Sequence, residues 1–162
     1  MKTVEFSISR GDIVLQAKDE TYLSARTALA VELSNQEGRY EMQADERDTH
    51  ERKLLQSVKN AVVGLKAELN EHLISGDVDE TKDEIKITIT TPNAFRDERK
   101  GVVSSLFSNY ISKRVIAEWW KANYPSYSTQ YDELALQALN ELKRSFYYKG
   151  EAELKQFNKV EG

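Results

Sequence analysis

The chain has 162 residues and no cysteine. That excludes disulfide staples, thiolate nucleophiles and cysteine-held metals together, and it is compatible with a reducing cytoplasm. Proline occurs twice and glycine seven times, so few positions force a break and helix is favoured. Long apolar runs are also missing: nothing approaches the roughly 18 residues a membrane span needs. The opening Met1-Lys2-Thr3-Val4-Glu5-Phe6 lacks the apolar core of a secretory signal. The expectation is therefore a cytoplasmic location when synthesised and no membrane partner. Basic clusters are scarce too. Twenty-three Lys and Arg face 27 Asp and Glu, a net charge of -4, and positive residues never run beyond two in a row. A nucleic-acid reader carries a basic stripe, so nucleic acid is not an expected partner. Phosphate-cradling glycine loops and nucleophile elbows are absent from the sequence.

What is present is helical periodicity with a little alternation. Val4, Phe6 and Ile8 alternate with Glu5 and Ser7, which predicts a short strand over 3–8. The stretch after it reads equally as strand or as helix; as helix, Asp12 offers a cap and Ile13, Ala17 and Leu23 lie along one face. Residues 21–33 are helix-compatible, 35–38 reads as a turn and 39–43 as extended or loop. Leu55, Val58, Val62, Leu65, Leu69 and Leu73 recur every three or four residues. They predict one helix over 45–74, with Asp45, Glu46 and Asp48 favoured by the dipole of its first turn and Ser75-Gly76 as its stop. Residues 77–84 read as a polar turn. Ile85, Ile87 and Ile89 then alternate with Lys86, Thr88 and Thr90, the clearest strand in the chain, ended by Pro92. A lone strand is unstable in water, so 3–8 is its natural partner.

Two long helices follow. Val103, Leu106, Phe107, Tyr110, Ile111, Val115 and Trp119 form a wide stripe that predicts packing on more than one neighbour. After Pro125, Ser128 or Thr129 is read as the cap of a last helix that buries Tyr131, Leu134, Ala135, Ala138, Leu142 and Phe146 and stops at Gly150. The expected fold is mainly α with a minor β part: an antiparallel bundle of three to four long helices and a small β element from strands near 3–8 and 84–90. Residues 1–150 are expected to form one helical domain, with 151–162 a charged C-terminal arm.

Reaction chemistry is hard to find. His50 and His72 lie 22 residues apart, six turns along the predicted helix, too far to share a metal. Asp77, Asp79, Glu80, Asp83 and Glu84 invite a cation but lack the calcium-loop pattern, and a charged turn explains them. Ser104-Ser105 has no base in reach by sequence. The expectation is no enzyme, no cofactor and no metal site. Seven aromatics stand out instead. Adjacent helical residues point about 100° apart, so Trp119 and Trp120 are not expected to share one core face: either one lies at an edge or contact surface, or both are covered by the N-terminal segment, and the two readings weigh evenly. Trp119, Trp120, Tyr124, Tyr127, Phe146, Tyr147 and Tyr148 are thus candidate protein-contact residues, since aromatics are enriched at interfaces.

These residues also carry a resemblance. A long charged-apolar helix, an isoleucine strand ending in Thr91-Pro92-Asn93-Ala94-Phe95, a helix ending Trp119-Trp120 and a helix ending Arg144-Ser145-Phe146-Tyr147-Tyr148-Lys149 resemble small prophage structural proteins of the head-completion and head–tail connector type. The resemblance spans about 45–150 and brings no active-site residues. It implies a non-enzymatic virion component that forms rings and binds a portal or tail protein. The N-terminal segment and the strand depart from that pattern. The alternatives from other classes are an enzyme or small-ligand binder whose site is assembled from distant residues, or a helical regulatory module that binds a protein.

Overall fold

The computed structural model describes residues 1–32, 48–69, 73–79, 81–122 and 124–146. Among these, the order is β1 (Lys2–Ser9), α1 (Arg10–Glu32), α2 (Asp48–Glu68), β2 (Leu73–Asp79), β3 (Glu84–Thr91), a short 3-10 turn (Asp97–Arg99), α3 (Lys100–Trp120) and α4 (Pro125–Phe146). The fold is mainly α with a small antiparallel sheet. The expected turn at 35–38, the stop at Gly150 and the arm 151–162 lie outside the described residues.

The strand order is β1-β3-β2. Val4 faces Ile89, Phe6 faces Ile87 and Ile8 faces Ile85. Paired residues point to the same side of an antiparallel sheet, so these six form one apolar inner face, each at most 6% exposed. The predicted pairing of the two alternating segments therefore holds. The third strand was not expected. Leu73 and the Ser75-Gly76 pair, read as helix end and stop, belong to β2, which pairs with β3 through an irregularity between Leu73 and Ser75. The reason is tertiary: α2 already ends at Glu68, and Leu73–Asp79 lies along an edge of β3, where backbone pairing outweighs the weak local strand preference of Ser and Gly.

At the start of α1, Ser9 Oγ accepts the Asp12 N–H at 3.2 Å, so Ser9 rather than Asp12 supplies the local cap. A second cap comes from across the sheet. The Asp83 carboxylate accepts from Gly11 N–H at 3.1 Å and from Arg10 Nε at 2.7 Å. Asp83 holds a left-handed backbone, φ 53°. A Cβ on Gly11 would lie 2.5 Å from that carboxylate, so Asp83 would have to shift to admit any other residue there. From α1, Ile13, Val14 and Ala17 enter the core, whereas Leu23 is 59% exposed and does not join the expected face.

The third helix is the hub, in contact with α1, α2, α4 and β1. Its pairing with α4 is antiparallel: Ser128 Oγ donates to the Ala117 carbonyl near the turn, Arg114 pairs with Asp132 further along, and Phe107 lies 6.4 Å from Phe146 at the far end. Pro125 begins α4 instead of preceding it. Proline suits a first helical position, where the missing N–H has no partner to lose. Ser128 is consequently inside the helix and buried against α3, not its cap. On α4, Ala135, Ala138, Leu139, Leu142 and Phe146 are buried, while Leu134, expected inside, is 40% exposed. With α3 as its main neighbour, α4 needs only a narrow apolar stripe.

Candidate functional site

The wide stripe of α3 resolves the question of the adjacent tryptophans. Both are buried, Trp119 at 3% and Trp120 at 0% exposure. Of the two readings, an edge position for one is corrected and burial of both holds, with α2 and α4 against them. The 100° between them points each into a different helix interface. Trp119 meets α2, with the His50 ring edge-on at 4.9 Å and Lys53 Nζ 4.9 Å from the ring centre. Trp120 meets α4, with the Tyr127 ring at 5.6 Å. Phe146 is buried at 1% beside Phe107, so it too serves the core. Tyr124 and Tyr127 are half-buried, 4.7 Å apart, over the α3–α4 turn. Tyr147 and Tyr148 lie outside the described residues, as do His72 and Glu80.

The acidic cluster separates into structural partners. Asp77 pairs with Lys66 at 3.6 Å. Asp79 accepts from Thr81 Oγ1 at 2.6 Å and from Thr81 N–H at 3.1 Å. The Thr81 hydroxyl is the first cause that holds the Asp79 carboxyl below its ordinary pKa. Asp83 caps α1, and Glu84 accepts the Ser7 hydroxyl. Ser105 Oγ donates to the Gly101 carbonyl within its own helix. Among the described residues, no three His, Asp or Glu side chains gather as a metal set. Tyr110 sits in the core, where burial pushes its phenol above the ordinary value.

The concavity that stands out is elsewhere. A groove of about 820 Å³ crosses the outer face of the sheet. Its floor is the polar half of the alternation. Glu5 and Ser7 come from β1, Lys86 and Thr88 from β3, and Ser75 and Asp77 from β2. The register sets these in transverse rows, Glu5–Thr88–Ser75 and Ser7–Lys86–Asp77. Glu84, the apolar Phe6 and Ile87, and Lys100, Gly101 and Ser104 from the first turns of α3 complete the lining, and Lys100 Nζ lies 6.0 Å from the Phe6 ring centre. Both signs of charge are present, interspersed with hydroxyls. A smaller polar hollow of about 280 Å³ lies between α2, α3 and α4, where Asn60 donates to Glu118 at 3.2 Å.

Sequence reasoning missed the groove. Its only signal was the polar register of the two alternating strands, plus a third strand that the local sequence does not announce. No protein-family model, curated protein or solved structure matches the chain. No helix among the described residues is long and apolar enough to cross a membrane.

Proposed function

We propose that this chain is a non-enzymatic assembly protein of the phage or prophage head-completion or head–tail connector kind, which binds copies of itself and a portal or tail protein. The carrying observation is the groove over the outer sheet face, broad, built from three strands and lined by both charge signs. Such a broad, open surface of mixed polar and apolar character suits contact with another polypeptide, whereas small ligands favour enclosed clefts. The contact surface in this reading is the sheet face, because Trp119, Trp120 and Phe146 are committed to the core. A ring needs two different surfaces meeting head to tail, and the groove supplies one of them. Synthesis in the cytoplasm followed by incorporation into a particle goes with the same reading.

The test is the mass of the full chain by light scattering over a wide concentration range, repeated with a candidate portal ring. Concentration-dependent oligomers, or capture by the ring, support the proposal. A monomer at every concentration that ignores the ring sinks it.

A further inference from the structure

We draw no further inference here: the strongest candidate, the groove where the outer face of the three-stranded sheet meets the first turns of α3, belongs to the site already described, and nothing in the structure shows what covers it.

Discussion

The two faces of one small sheet are built from the same strands in the same register, yet they do opposite work. The inner face presents Val4, Phe6, Ile8, Ile85, Ile87 and Ile89 to the helices, and Ile85, Ile87 and Ile89 are fully buried. Each such side chain contributes about 1.5–3 kcal/mol by leaving water. The outer face presents Glu5, Ser7, Lys86 and Thr88, which line the groove. Neighbouring residues thus differ in kind: Ile87 holds the fold, while Thr88 lies half-buried on the groove side. One residue of register slip would exchange the two roles, so the sheet's alternation protects both at once.

The largest effect should come from the inner face. Ile87→Ala is expected to cost about 2–5 kcal/mol, because the cavity it leaves cannot fully collapse. Urea unfolding measures this, and a loss under 1 kcal/mol would erase the distinction between the faces. Next comes the cap that ties Asp83, in the turn before β3, to α1. Gly11→Ala forces the Asp83 carboxylate away from Gly11 N–H and Arg10, with an expected loss of about 1 kcal/mol. A raised melting temperature would show the cap to be dispensable. Gly64, in the middle of α2, has the reverse prospect: an added Cβ meets only the Tyr110 hydroxyl, at 3.8 Å, an ordinary contact. Gly64→Ala should therefore stabilise the chain by about 0.5–1 kcal/mol through helix propensity. A destabilised variant would mean that α2 packs more tightly on α3 than the distance allows.

The smallest effect is electrostatic and sits at the end of β2. Because the folded-state pKa of Asp79 is depressed, its contribution is present above the unfolded value, ordinarily 3.8, and is lost as pH falls through the folded value. Thr81→Val removes the first cause of that depression. An NMR titration should find Asp79 moved up toward its ordinary value, and an unmoved titration would assign the shift to something other than the Thr81 hydroxyl.

The same contrast explains what could be read from sequence. Buried residues announce themselves by period: the strands β1 and β3 and the stripe of α3 were all visible as spacing. Strand β2 was not, because Leu73-Ile74-Ser75-Gly76-Asp77 carries a helix-like leucine, a serine and a glycine, and only pairing to β3 makes it extended. The tryptophans misled for a related reason. A helix with neighbours on several sides buries residues 100° apart, and the number of neighbours is a tertiary property. The groove was illegible because a polar strand face has one sequence pattern whether it meets water or a partner.

Thr88→Arg tests the central claim most directly. Arginine at this position stands opposite Glu5 in the register, so the fold should change by no more than about 1 kcal/mol, while a long cation fills the middle of the groove. Light scattering at a concentration where the native chain associates should then find the variant monomeric with an unchanged unfolding curve. A variant that folds and associates as the native chain does would contradict the assignment of the outer sheet face as the contact surface.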